Sequence, residues 1–164
     1  ANGDILSIKR ADQKFYPPIE GTDVPHGATD QHHRMVLYRS SDGGANWSFE
    51  EFGSWYGEMY PSVLTLEDGR LLFTFTQRTS VPPNKPPLGL RAVLGQQVSD
   101  GFDFDFKHDR IVLSSKTPVN LTSGGGFGPT VQLHDGTLVS SYSYRTADDQ
   151  LHCEVVRWKL PATR

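Results

Sequence analysis

Three arginines stand at matching places in three similar segments, and they are the residues best suited to bind an anionic ligand. They are Arg10, Arg78 and Arg145, which close the segments NGDILSIKR (2–10), YPSVLTLEDGRLLFTFTQR (60–78) and FGPTVQLHDGTLVSSYSYR (127–145). A guanidinium group holds a carboxylate through two parallel hydrogen bonds, so arginines gathered at one end of a molecule favour an acidic ligand. The alternative is that they form structural salt bridges between the repeats.

The same segments define an internal repeat that must position these arginines. Gly3, Gly69 and Gly136 lie 66 and 67 residues apart, and each follows an Asn or an Asp. Such a pair between two β-type runs is a strong signal for a tight hairpin turn. We therefore expect repeats at about 1–58, 59–126 and 127–164, each containing strand, turn and strand.

Further β-type runs lie between these hairpins, at HRMVLYRS (33–40), GLRAVLGQQVSDG (89–101) and LHCEVVRWKL (151–160). No segment shows a convincing helical period, and each repeat offers about four short antiparallel strands. Four-stranded units that recur along a chain predict a β-propeller, and a β-sandwich of unrelated hairpins is the alternative. We expect one partial propeller domain over 1–164, with about three blades.

Composition agrees with a turn-rich all-β domain and argues against some partners. The 164 residues include 16 glycines and 11 prolines, and the net charge is −3. We expect no nucleic-acid partner, because no basic patch is present, and no membrane partner, because no apolar run reaches the length of a span. Cys153 is the single cysteine, so an intrachain disulfide is excluded, and we interpret it as a small packed residue.

The chain begins Ala1-Asn2-Gly3, inside the first predicted hairpin turn. Three blades are fewer than the four to eight with which propellers usually close. We therefore expect further blades before residue 1 of a longer protein, or self-association of chains that closes the ring.

The segment SSDGGANW (40–47), which we call the 40–47 turn, has residue types that stabilise a hairpin. Asp42 can bond its own backbone, and Gly43 and Gly44 permit positive φ. Trp47 can fold back and pack. The pattern predicts a turn between two strands that is locked by its own side chains.

Ser40, Asp42, Gly44 and Trp47 in this spacing resemble the Asp-box, or BNR repeat, of the sialidase superfamily. A degenerate copy stands at Val98–Gly101, and the resemblance covers nearly the whole chain. It implies a six-bladed β-propeller of which this chain is similar to the C-terminal half. Asp-boxes in that family are structural and lie away from the active site, so no catalytic role follows for Asp42.

The resemblance also implies a function and a set of binding residues. It implies a glycoside hydrolase that binds an acidic or otherwise decorated glycan, such as a sialic-acid-like sugar, in an axial cleft. Arg10 and Arg91 look like two members of the family's arginine triad, and Arg78 and Arg145 end strands equivalent to that of Arg10. The resemblance implies neither cofactor nor metal, and it implies a secreted or periplasmic location, although the chain carries no signal peptide pattern.

The position of the family's catalytic tyrosine holds Phe127, or Gly128 on a shift of one residue, and neither can act as the nucleophile. Tyr60 occupies the matching place one repeat earlier, close to Glu58. We predict these two residues as a displaced nucleophile and its activating carboxylate; the alternative is a tyrosine that packs near the axis.

The family's remaining catalytic groups would lie in the absent blades. We therefore expect the isolated chain to be inactive as a sialidase. A non-catalytic glycan-binding propeller and a purely structural or protein-interaction propeller are the competing hypotheses.

Two further patterns are weaker. His26, Asp30, His32 and His33 cluster in PHGATDQHHR, but their spacing fits no standard metal site, and we interpret the segment as a solvated loop. Asn46 and Asn120 stand in glycosylation patterns, of which the first overlaps the 40–47 turn and is expected to be accidental.

Overall fold

The fold is built from short strands that pair with their neighbours along the sequence. The computed structural model describes residues 3–11, 33–50, 55–79, 87–98, 101–106, 111–118 and 129–160, and within these ranges the chain is all-β, without a helix. The strands are β1 (Ile5–Arg10), β2 (Met35–Ser40), β3 (Ser48–Glu50), β4 (Glu58–Thr65), β5 (Leu71–Gln77), β6 (Gly89–Val98), β7 (Gly101–Phe104), β8 (Ile111–Val112), β9 (Val131–Gln132), β10 (Leu138–Arg145) and β11 (Leu151–Trp158).

These strands form three antiparallel sheets. The first sheet has the order β1-β2-β3, the middle sheet β4-β5-β6-β7 with β8 also paired to β6, and the third sheet β9-β10-β11. The prediction of an all-β, antiparallel fold is therefore confirmed. The expected four strands per repeat are not matched, because the described part of the chain gives sheets of three, five and three strands. No helix within that part is long and apolar enough to cross a membrane.

The internal repeat is visible in the geometry of the turns. Gly3, Gly69 and Gly136 all adopt the left-handed conformation, with φ of 84°, 84° and 75°. Asp68 and Asp135 each accept a hydrogen bond from the backbone N–H two residues later, at 3.0 and 2.9 Å. β1 follows the turn at Gly3, and β5 follows the turn at Gly69. β1, the first strand of the first sheet, is therefore the counterpart of β5, the second strand of the middle sheet.

The middle sheet is covered on both faces, which is why every residue of β5 is buried. On one face Phe73 and Phe75 join a core cluster with Met35 of the first sheet. On the other face Leu72 packs with Leu138 of the third sheet. Burial of a large apolar side chain is worth about 1.5–3 kcal/mol, so these two layers hold the three sheets together.

A buried polar network also joins the middle and third sheets. The hydroxyl of Thr130 donates to that of Thr74 at 3.0 Å and lies 2.7 Å from that of Ser140. The indole N–H of Trp158 donates to Ser140 at 3.0 Å. Buried polar groups are stable only when they are paired, so this network favours one alignment of the two sheets.

The hairpin at the degenerate motif is present, since Val98 pairs with Gly101; the two residues between them lie outside the described part of the chain. Phe104, in the strand that follows this hairpin, packs edge-on against Phe73 with ring centres 4.1 Å apart. A Cβ atom at Gly95 would lie 1.9 Å from the Phe104 ring. Gly95 therefore leaves the space that this aromatic ring fills.

Candidate functional site

Backbone hydrogen bonds join the ends of four strands from the first and middle sheets. Ala11 N–H donates to Arg34 O at 2.7 Å, which closes the end of β1 on the start of β2. Gly57 N–H donates to His33 O at 2.7 Å, and Arg78 N–H donates to Gly57 O at 2.8 Å. The ends of β1 and β5 therefore meet the starts of β2 and β4 at one edge.

The same edge continues from the middle sheet to the third. Gln77 pairs with Gly89 at the start of β6, and the preceding Leu88 forms a β-bridge with Thr117. Thr117 in turn accepts a hydrogen bond from Arg145 N–H through its hydroxyl oxygen, at 3.1 Å. A continuous series of contacts thus runs across all three sheets, through backbone pairing and one hydrogen bond from a backbone N–H to the Thr117 hydroxyl.

All four predicted binding residues lie on or beside this line, which we call the arginine edge: Arg10, Arg78, Arg91 and Arg145. Arg10 closes β1 opposite Met35 and is half-buried. The 40–47 turn lies at the opposite end of the first sheet, because Ser40 pairs with Ile5. The structure thus separates the arginines from the turn, while the role of the arginines in ligand binding stays a prediction.

Arg78 and Tyr60 form the central contact of the arginine edge. The guanidinium donates from Nη1 to the Tyr60 hydroxyl at 2.7 Å and lies 5.6 Å from the centre of its ring. Tyr60 has a φ of 60°, and the pairing of β4 with β5 shifts register between Met59 and Ser62. A left-handed conformation costs a residue other than glycine about 1–3 kcal/mol, and such strain clusters at functional sites.

Glu58 is the first residue of β4, two residues before Tyr60, and is fully buried. Its Oε2 accepts a hydrogen bond from Trp55 N–H at 2.6 Å, and its backbone pairs with Gln77. A buried carboxylate requires such donors to replace water. The predicted catalytic pair therefore lies at the arginine edge, with the tyrosine held by a guanidinium and the carboxylate held by a backbone donor.

Gly57 allows the strand ends to approach this closely. It has a φ of 84°, and a Cβ atom there would lie 2.4 Å from the carbonyl oxygen of Thr79. A side chain at this position would therefore push apart the strand ends that carry Glu58 and Arg78.

Arg91 is only 3% exposed, and its guanidinium donates hydrogen bonds to backbone carbonyl oxygens. Its Nη1 donates to Leu90 O at 3.0 Å and to Ser114 O at 3.1 Å, and its Nη2 donates to Pro87 O. The guanidinium thus braces the backbone at the start of β6. A ligand carboxylate that bound Arg91, as predicted, would have to displace these carbonyl groups.

Arg145 lies at the surface of the arginine edge. Its Nη1 contacts Asp149 Oδ1 at 2.9 Å, and the two side chains are 31% and 71% exposed. Exposed ion pairs contribute little to stability, so another carboxylate can replace Asp149 at low cost.

The 40–47 turn is held by its own side chains. Ser40 donates to Asp42 Oδ1 at 2.8 Å and accepts from Gly44 N–H at 2.9 Å; Trp47 Nε1 donates to Gly44 O at 2.9 Å. Asn46 donates to Asp42 from its backbone and its side chain, at 2.9 and 2.7 Å. These bonds from Asn46, aided by Ser40, lower the pKa of Asp42 to about 2. All of these hydrogen bonds join residues of the 40–47 turn to one another.

A second polar cluster, which was not predicted from the sequence, lies between the middle and third sheets. Tyr142 lies opposite Glu154 in the pairing of β10 with β11, and Ser114 contacts both side chains. Burial raises the pKa of Tyr142. Burial also opposes ionisation of Glu154, but hydrogen bonds from Lys116, Ser114 and Tyr142 outweigh it and lower its pKa.

The hairpin that pairs Tyr142 with Glu154 could have been found from the sequence. Its two strands lie in the segments 127–145 and 151–160, which were predicted as β-type. Pairing these segments outward from Thr146 and Gln150 places Tyr142 opposite Glu154. The partner Ser114 comes from another repeat, and no local pattern marks it.

Several other predictions concern particular residues outside the arginine edge. Phe127, Gly128, His26, Asp30, His32 and Asn120 lie outside the described residues. Within the described ranges, no group of three His, Cys, Asp or Glu side chains could hold a metal ion. The interpretation of Cys153 as a packed residue is wrong: it is exposed, because it lies on the face of β11 opposite the one that packs on the middle sheet.

Comparisons with known proteins bear on the fold alone. No family model matches the chain, and no curated protein shows significant sequence similarity to it. A crystal structure of a protein of unknown function from Dyadobacter fermentans matches 98% of this chain, with a TM-score of 0.65 and 20% identity. The chain covers 36% of that protein's length. The matched part of this chain thus shares its fold with about a third of a longer chain.

Proposed function

We propose that the chain is part of a sialidase-like β-propeller that binds an acidic glycan at the arginine edge. Arg78 and Arg145 contact the carboxylate of the sugar in this proposal, with Arg10 beside them. The observation that carries it is the series of contacts, backbone pairings and one hydrogen bond to the Thr117 hydroxyl, that brings the ends of β1, β5 and β10 to one edge. Guanidinium groups bind carboxylates in a fixed, bidentate geometry, which suits an acidic sugar better than a neutral one.

The stacked arrangement of the sheets supports the propeller part of the proposal. The middle sheet packs against the first sheet on one face and the third on the other. Propeller blades pack face to face in this way around an axis. The Dyadobacter fermentans protein extends well beyond the matched part, since the chain covers 36% of its length, which agrees with further sheets in a complete ring.

Within the arginine edge, Arg78 is the residue on which the proposal depends most. Its Nη1 already donates to a phenol oxygen, so the guanidinium is held in a defined position before any ligand arrives. Such preorganisation reduces the entropic cost of binding. Arg91 supports the edge from within, because its donors serve backbone carbonyl groups.

Glycan binding without hydrolysis is the form of the proposal that the geometry favours. Glu58 is fully buried and bonded to Trp55 N–H, and the Tyr60 hydroxyl is engaged by Arg78. A nucleophile must reach the sugar carbon that it attacks, and an activating carboxylate must reach the nucleophile. Catalysis by Tyr60 and Glu58 would therefore require Arg78 to release the Tyr60 hydroxyl and to bind a substrate carboxylate instead.

The test compares the binding of 3′-sialyllactose and lactose to the 164-residue chain by isothermal titration calorimetry. We expect binding of the sialylated sugar and a loss of about tenfold or more in the variant Arg78→Gln, because a charge-assisted hydrogen bond is removed. Arg70→Gln is the matched control, since Arg70 pairs with Asp68 in the turn at the opposite end of the middle sheet. Equal affinity for the two sugars, or equal loss in both variants, would overturn the proposal.

A further inference from the structure

An exposed aromatic stack lies on the third sheet, outside the arginine edge. Tyr144 on β10 pairs with His152 on β11, so both side chains project from the same face. Their rings are stacked, with centres 5.2 Å apart and planes 17° apart. The His152 side chain is exposed, while that of Tyr144 is half-buried.

A fixed carboxylate and an ammonium group flank this stack. Glu154 lies two residues from His152 on the same face, and its Oε2 accepts from the Ser114 hydroxyl at 2.8 Å. Lys116 Nζ donates to the other oxygen, Oε1, and lies 5.2 Å from the centre of the Tyr144 ring. The side chains of Lys116 and Glu154 are 50% and 20% exposed, so solvent and small molecules can reach both.

This group of residues adjoins the arginine edge through the segment after β8. The carbonyl oxygen of Ser114 accepts from Arg91, and Thr117, which follows Lys116, accepts from Arg145 N–H. Four consecutive residues, 114–117, therefore contact both the arginine edge and the aromatic stack.

The chemistry of the group selects a neutral, hydroxylated ring. An exposed aromatic face packs against the apolar face of a sugar, and a carboxylate and an ammonium group bond its hydroxyl groups. The charges of Lys116 and Glu154 compensate each other, so this pair adds no net charge to the group. Both charged groups are already held by neighbours, which places them for a ligand.

We propose that Lys116, Tyr144, His152 and Glu154 form a second carbohydrate subsite, which binds a neutral sugar next to the acidic one. The inference rests on the proposed function in one respect, that the neutral and the acidic sugar belong to a single glycan. The binding chemistry of the subsite itself depends only on the stack and its two charged neighbours.

The experiment uses three probes on the 164-residue chain: 3′-sialyllactose, lactose, and the methyl glycoside of N-acetylneuraminic acid. We expect His152→Ala to weaken binding of 3′-sialyllactose and of lactose about fivefold, with the methyl glycoside unaffected. Lys116→Gln should act in the same direction. Val155→Ala is the control, because Val155 is exposed on the opposite face of β11.

Each outcome separates the two proposals. If His152→Ala binds all three probes as tightly as the unmodified chain does, or weakens all three equally, the subsite is overturned. If the methyl glycoside does not bind the unmodified chain but lactose binds in a way that depends on His152, the subsite stands and the proposed function fails. Thermal melting of each variant shows whether the third sheet remains folded. If His152→Ala does not fold, the affinities of Lys116→Gln for the three probes are compared instead.

Discussion

The guanidinium of Arg78 donates to the hydroxyl of Tyr60 across 2.7 Å, and this contact links the end of β5 to the irregular part of β4. Tyr60 adopts its left-handed conformation in this irregular part. The contact therefore joins the one strained strand residue among the described strands to the arginine that we expect to bind a carboxylate.

Removal of the Tyr60 hydroxyl should destabilise the chain while the ring remains in place. Tyr60→Phe is expected to lower the free energy of unfolding by about 1–2 kcal/mol, because a hydrogen bond to a charged group is lost. Urea denaturation followed by tryptophan fluorescence measures the change. Tyr56→Phe is the control: the Tyr56 side chain is exposed, so this variant should keep full stability. Equal stability of all three proteins would show that the contact contributes nothing.

A methyl group at Gly57 should be far more damaging than one at Gly43. Both glycines have positive φ, but a Cβ at Gly57 would lie 2.4 Å from Thr79 O, while a Cβ at Gly43 meets nothing within 4 Å. We expect Gly43→Ala to cost about 1–2 kcal/mol from the backbone conformation alone. Gly57→Ala should cost clearly more, as measured by denaturation. Similar costs for the two variants would contradict the close approach of the strand ends.

The 40–47 turn should make stability depend on pH in the acid range. The pKa of Asp42 is lowered from 3.8 to about 2 in the folded chain, so its contribution is present above pH 4. It is lost as the pH falls from about 4 to about 2, because the unfolded chain takes up the proton first. We expect the difference in Tm between the unmodified chain and Asp42→Ala to shrink over this range. A difference that is constant from pH 6 to pH 2 would refute the assignment.

The small side chain of Ser140 should contribute substantially to the free energy of unfolding. Its hydroxyl accepts from Trp158 Nε1 and contacts the Thr130 hydroxyl in a fully buried position. Ser140→Ala is expected to cost about 1–3 kcal/mol, because buried donors lose their acceptor. Ser141→Ala, one residue away on the opposite face, is the control and should stay within about 0.5 kcal/mol. Chemical denaturation of both variants decides the matter.

The purified chain should release no sialic acid from a fluorogenic sialoside. The buried position of Glu58 and the engagement of Tyr60 by Arg78 both oppose nucleophilic attack. Turnover above the uncatalysed rate that disappears in Tyr60→Phe would establish hydrolysis by the chain itself, against this expectation.

The sequence allowed the local structure to be predicted, because the signals for it are local. The Asp-Gly turns at Gly69 and Gly136 depend on the preference of a few adjacent residues, and their positions defined the strands on either side. The position of Arg10, Arg78 and Arg145 at one edge follows from the same repeat.

The surroundings of single side chains depend on contacts between distant segments, and these could not be predicted. Arg91 is buried because Pro87 and Ser114 supply its carbonyl acceptors, and neither lies in the β-type run 89–101 that contains it. The exposure of Cys153 depends on which face of β11 packs against the middle sheet. Alternation along a strand distinguishes the two faces, but it does not show which of them a neighbouring sheet will cover.

The arginine edge belongs to no single sheet, and this has a consequence for any ligand that binds there. The spacing between Arg78 and Arg145 is set by how the middle and third sheets pack, through Leu72 against Leu138 and through the network around Ser140. A ligand that contacts both arginines would hold the middle and third sheets together. Its binding free energy would add to the stability of their packing. Changes in the buried layer between the sheets would then alter affinity without touching a ligand-binding residue.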